Sequence, residues 1–146
     1  MQTNDLEPWS SSDAFHCYKP FSEDVDWFTA NGRCKEKFNG AGNLISIHSE
    51  AMNQNAKSLF SSVDEGKMWT GAKRNEINGF IWTDGSEFSY TKWGKGEPTG
   101  SWNGEAENCM EIERDSYWND MKCGETNGYM CQVARMHQNC IGRPIV

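Results

Sequence analysis

The 146-residue chain is 36% hydrophobic, with seven Trp, seven Phe and four Tyr, and its formal net charge is -7. One domain of this length buries roughly two-thirds of the surface its unfolded chain exposes, and here large aromatics must supply much of the core. No run approaches the ~20 apolar residues of a membrane-spanning helix. No basic stripe offsets phosphate repulsion either, so neither a membrane span nor a nucleic-acid partner is expected.

Residues 1–13 read as a polar leader and residues 14–146 as one domain. Ala14 to Phe21 is a short edge-like strand that Pro20 should end. Glu23 to Phe38 reads as a first helix, with Ser22 ahead of Glu23 and Asp24 as its start and Gly40 and Gly42 as its stop. Leu44 to Ile47 is a short apolar strand. In His48 to Val63, Ser49 is a helix cap, and Met52, Ala56, Leu59, Phe60 and Val63 return at helical spacing.

Lys67 to Ala72 and Gly79 to Tyr90 turn strand-like and aromatic, with Asp84-Gly85 as a hairpin signal. From Thr91 to Glu107 the periodicity lapses over Gly94, Gly96, Pro98, Gly100 and Gly104. A loop this long usually signals function or disorder. Asn108 to Ile112, Ser116 to Asp120 and Gly128 to Ala134 then read as three strands. Helices first and strands after give an α+β class.

Cysteines stand at 17, 34, 109, 123, 131 and 140. An even number in a short chain suggests a disulfide framework and a secreted, extracellular protein. Zinc fits poorly, because paired zinc-binding cysteines lie about two to four residues apart and none do here. Counting alone leaves the pairing open.

Glu97, Glu107, Asn119 and Asp120 are oxygen donors of the kind a hard cation such as Ca2+ takes. They surround the long loop, and without an ion the carboxylates would repel one another and loosen it. A cis Glu97-Pro98 bond would aim residues 97 and 99 the same way. The competing reading is that acidic and amide residues sit in a loop because loops are wet. The consensus calcium loop of an EF-hand is missing.

The chain resembles the C-type lectin-like domain family. The residues that carry the likeness are WFTANGRC (Trp27 to Cys34), LISIHSEAMN (Leu44 to Asn53), WTGA (Trp69 to Ala72), FIWTDGSEF (Phe80 to Phe88) and KWGKGEPT (Lys92 to Thr99). They continue through ENCMEI (Glu107 to Ile112), WND (Trp118 to Asp120) before Cys123, and YMC (Tyr129 to Cys131). The resemblance implies a double-looped fold with paired terminal strands and bridges Cys34–Cys131 and Cys109–Cys123. Because the family brings its termini together, Cys17 is expected to pair with Cys140; an intermolecular Cys140 bond is the rival.

The resemblance also implies one calcium ion held by Glu97, Glu107, Asn119 and Asp120. The triplet Glu97-Pro98-Thr99 departs from the family's Glu-Pro-Asn of mannose-type members and Gln-Pro-Asp of galactose-type ones. Thr99 is a weaker ligand than an amide. An auxiliary calcium site looks lost, its acidic positions falling on Arg74, Asn78, Gly100 and Asn108. Trp102 either flanks the ligand or packs on the loop base, whereas Trp69, Trp82 and Trp118 are expected in the core.

What the resemblance implies is a calcium-dependent, non-catalytic carbohydrate-binding lectin for mannose-type sugars, contacting them through Glu97, Thr99, Trp102, Glu107, Asn119 and Asp120. Its partner would be a carbohydrate or glycoconjugate, and a homo-oligomer would add avidity. The alternatives are a protein-binding domain of the same fold and a galactose-type lectin working through Trp102. An enzyme fits poorly: the three histidines are scattered, no nucleophile context is recognisable, and glutamates sharing a cation are wrong for a general acid.

Overall fold

In the computed structural model, residues 15–135 are described except 38, 64, 77 and 78. The fold is α+β. Strand β1 (His16–Val25) leads into helix α1 (Trp27–Glu36), then β2 (Asn43–Leu44), helix α2 (Glu50–Phe60), β3 (Lys67–Arg74) and β4 (Phe80–Trp82). A small hairpin, β5 (Ser101–Trp102) and β6 (Glu105–Ala106), interrupts the chain before β7 (Cys109–Glu113), β8 (Trp118–Met121) and β9 (Asn127–Ala134). The main sheet runs β1-β9-β3-β7-β8, with β2 joined to β9 and β4 to β3. Only the β3–β9 contact is parallel among these described pairs.

Pro20 does not end β1. It pairs with Met130 inside the strand, and an edge strand tolerates the missing N–H. The first helix therefore starts later than Ser22 suggests. Asp26 caps it, accepting from the Thr29 amide at 2.9 Å, an interaction worth ~1 kcal/mol. Ser49 caps α2 as its sequence indicates, accepting from the Met52 amide at 3.1 Å. Ile45 to Ile47 are buried but form no strand beyond Leu44. The chain after Asp84-Gly85 forms no return strand; β4 pairs with β3 before it.

Successive residues of the sheet feed two cores. On one face Trp27, Trp69, Tyr129 and Val133 gather around the Cys34–Cys131 bridge. On the other, Phe60, Met68, Trp82, Ile112 and Trp118 pack beneath α2. Trp69, Trp82 and Trp118 are all buried. The buried Asn53 of α2 accepts from the Trp118 indole at 2.9 Å and donates to the Ser116 carbonyl at 2.9 Å, so the helix is tied to the approach of β8.

A second bridge joins Cys109 to Cys123 across a separation of 14 residues, against 97 for Cys34–Cys131. In the chain-entropy model loops of those sizes contribute about 3 and 4.7 kcal/mol. Cys17 is disulfide-bonded; its expected partner, Cys140, lies outside the described residues.

Candidate functional site

Strand alternation sends Asn119 and Asp120 to opposite faces of β8. Opposite Asn119 in register stands Glu111, and opposite Asp120 stands Met110. The long loop is then built onto β8 from both ends. The Trp118 amide donates to the Lys92 carbonyl and the Gly94 amide to the Trp118 carbonyl, each at 2.9 Å. The Glu107 amide closes the loop on the Gly100 carbonyl, also at 2.9 Å. The Glu97-Pro98 bond is cis.

Asp120 is fully buried and serves as the anchor of that loop. Its Oδ1 accepts from the Thr99 amide at 3.0 Å, and its Oδ2 from the Gly100 amide at 2.7 Å. A third donor, Arg74 Nη2 from the end of β3, reaches Oδ2 at 2.8 Å. The same nitrogen donates to the Glu107 carbonyl at 3.1 Å, and the guanidinium lies 4.5 Å from the centre of the Phe80 ring. Arg74 thus brings a side-chain cation to a place where the family resemblance put a lost acidic ligand. Of the other such positions, the Asn108 carbonyl accepts from the Arg74 amide at 2.7 Å, Gly100 holds Asp120, and Asn78 lies outside the described residues.

The remaining donors face a groove of about 480 Å³, one end of which is lined by Glu97, Thr99, Trp102, Glu107 and Asn119. Thr99 Oγ1 donates to Glu107 Oε1. Glu97 Oε1 is buried with no hydrogen-bond partner. Burial, a hydrogen bond with Asp120 and the negative charges of Asp120 and Glu107 push its carboxyl up to about 7. Asn119 Nδ2 donates to Glu111 Oε2 at 2.9 Å, so the amide oxygen is its free acceptor towards the groove. The structure therefore brings Glu97, Thr99, Glu107 and Asn119 to one groove, with the Asp120 carboxylate behind them: its Oδ1 accepts from Thr99 Oγ1 at 3.3 Å and it is hydrogen-bonded to Glu97, while it also holds the loop. Among the described residues, no three His, Cys, Asp or Glu side chains are arranged as a metal cluster.

Trp102 does not pack on the loop base. It is 61% exposed, held at the end of β5 by a turn in which Asn103 and Gly104 both have positive φ. Asn-Gly favours that two-residue hairpin turn strongly, and this signal within the loop marks the hairpin in the sequence. Lys122 steadies the return strand through an ion pair with Glu105 at 2.6 Å. Glu111, Asn127 and Lys67, which line the far part of the groove, carry no local motif. Only the strand register brings them there.

The family model "Lectin C-type domain" matches residues 23–133, and the chain belongs to that family. It is a recognition domain rather than an enzyme. The chain is 31% identical to the alpha-N-acetylgalactosamine-specific lectin of Patiria pectinifera, over 82% of this chain and 74% of that protein. It is 30% identical to a snaclec of Echis carinatus, a polypeptide of its coagulation factor IX/factor X-binding protein, over 88% and 98% respectively. Among solved structures, the C-type lectin CEL-I from Cucumaria echinata is similar with a TM-score of 0.76 and 30% identity, over 91% of this chain and 96% of that one.

Proposed function

We propose that this domain is an extracellular lectin that binds a galactose-type sugar with the help of one calcium ion. The reading rests on one observation: an exposed Trp102 shares its groove with the partnerless Glu97 Oε1. A flat indole offers an apolar wall to the less polar face of a pyranose. Carboxylate and amide oxygens on the same groove suit hydroxyl groups. The similarity to a lectin specific for alpha-N-acetylgalactosamine points the same way.

The donor set fits a hard cation. Glu97, Glu107 and the Asn119 carbonyl offer oxygens, and a cation would satisfy the orphaned Glu97 oxygen and offset the crowding that raises its carboxyl. When bound, the ion would supply a Lewis-acidic point for sugar hydroxyls. Thr99 adds little to a mannose-type preference, because its hydroxyl is engaged with Glu107. We therefore set the galactose-type reading above the mannose-type one that Glu97 suggested.

A second reading, a protein-binding domain, is favoured by Asp120. Its carboxylate is engaged by Arg74, Thr99 and Gly100, and a snaclec that binds coagulation factors is among the similar proteins. A glycan array read with calcium and with chelator separates the two. Chelator-sensitive binding to galactosides supports the lectin; binding to no glycan at all gives the protein-binding reading the field.

A further inference from the structure

The hairpin that carries Trp102 stands on a fixed foot and reaches out without a core of its own. At the foot, the Gly100 amide donates to Asp120 Oδ2 at 2.7 Å, and the Glu107 amide closes on the Gly100 carbonyl at 2.9 Å. Beyond it, every residue from Ser101 to Ala106 is exposed. Its two strands are two residues each, and a hairpin left to itself is marginally stable at best in water.

Among the described residues, one side-chain bond ties this arm to the rest of the chain: Lys122 Nζ donates to Glu105 Oε2 at 2.6 Å. Glu105 stands directly opposite Trp102 in register, and cross-strand partners leave a ribbon on the same face. The ion pair therefore forms beside the indole. Trp102 and Lys122 both line the groove.

Lys122 itself is a firm post. Met121 ends β8 immediately before it, and Cys123 immediately after it is bridged to Cys109. The Cys123 carbonyl also accepts from the Trp27 amide at 3.0 Å, which ties this turn to the start of α1. A second carboxylate oxygen, Glu125 Oε1, lies 3.5 Å from the same Lys122 nitrogen. An ammonium has three donors and can serve both glutamates, so it is held between hairpin and body.

We propose that Lys122 is a positioning residue for sugar binding: through Glu105 it holds the Trp102 indole in place beside the groove. The proposal rests on the lectin reading above and deepens it by naming what fixes the aromatic wall. Lys122 acts through Trp102 and not by contact with the ligand. An exposed ion pair contributes modestly, but an arm with no packing has little else to oppose its swing.

The test is a double-mutant cycle on the whole chain in saturating calcium, with N-acetylgalactosamine and galactose titrated calorimetrically. Lys122→Met should weaken binding about threefold, the scale of one exposed ion pair. Lys122→Arg keeps the charge and the donors, and should bind as the unmutated chain does. In a Trp102→Ala background, Lys122→Met should have no further effect. A second readout needs no sugar. The Trp102 indole N–H resonance, assigned by its loss in Trp102→Phe, should sharpen and shift towards the position of a free indole in Lys122→Met, and return in Lys122→Arg. A resonance unmoved by Lys122→Met overturns the proposal and leaves the lectin reading standing. Additive losses in the cycle overturn it as well, because Lys122 would then meet the ligand itself. Absence of binding of either sugar to the unmutated chain defeats the lectin reading and, with it, any part for Lys122 in binding, whatever the resonance does.

Discussion

Arg74 and Asp120 meet at 2.8 Å beneath the long loop, the Asp120 side chain fully buried and that of Arg74 13% exposed. Repulsion among carboxylates alone should leave this loop slack without an ion. Instead a cation carried by the protein is already in contact with the carboxylate that fastens residues 99 and 100. Removing one partner of a buried pair leaves the other charge uncompensated and costs about 3–5 kcal/mol. Arg74→Met should therefore lower stability in chelator by about 3 kcal/mol, measured by urea unfolding. An unchanged midpoint would show that the two main-chain amides hold Asp120 unaided.

Calcium should bind with a stoichiometry near one. At a hundred times its dissociation constant it should add ~2.7 kcal/mol to stability, seen as a rise in melting temperature. Glu97→Gln, which keeps one oxygen and loses the charge, should abolish most of that rise. A melting curve indifferent to calcium in the unmutated chain would remove the ion from the account.

The pH dependence follows from Glu97, whose carboxyl is moved from 4.5 to about 7. A raised carboxyl favours the folded state while protonated. Its contribution is complete below 4.5 and is lost as pH rises through about 7. In chelator, the chain should thus lose stability across that window, and Glu97→Gln should flatten this part of the profile. Calcium affinity has the opposite sign, strengthening as Glu97 ionises. A parallel pH profile in the variant would assign the effect to another group.

Trp102 is exposed, so Trp102→Ala should leave stability within about 0.5 kcal/mol of the original. Sugar affinity should fall about tenfold, equivalent to ~1.4 kcal/mol. Thermal unfolding checks the first and calorimetric titration the second. Full affinity in the variant would place the ligand away from the indole.

Regular elements were the most legible part of the sequence. The spacing of Ala56 and Phe60 behind Ser49 marked the second helix, since cap and period agree there. Pro20 misled although its strand reads as an edge: the missing N–H costs nothing on the open side, so the strand runs on to Val25, and only the pairing with β9 shows that. Asp84-Gly85 misled for a related reason: the Asp84 carboxylate is drawn to Ser46 Oγ at 2.5 Å and Gln132 Nε2 at 2.9 Å, and the chain leaves the sheet there. Glu97, Glu107, Asn119 and Asp120 could be picked out by residue type. That Asp120 would turn to Arg74 while Asn119 turned to Glu111 could not, because both contacts come from strand pairing and loop closure that no local pattern encodes.

The register of β1 on β9 fixes how such a module can be worn. His16 lies against Ala134 at one end of the pair, and Val25 against Asn127 at the other. Over the eight residues of β9, the groove end and the opposite end are roughly 23 Å apart at ~3.3 Å per residue. The described chain therefore enters and leaves side by side, at a pole remote from Asn127. A leash or a neighbouring module fastened at residue 16 or 134 leaves the groove pointing outward. Copies strung together or planted on a surface in this way would all present their open faces to the same target.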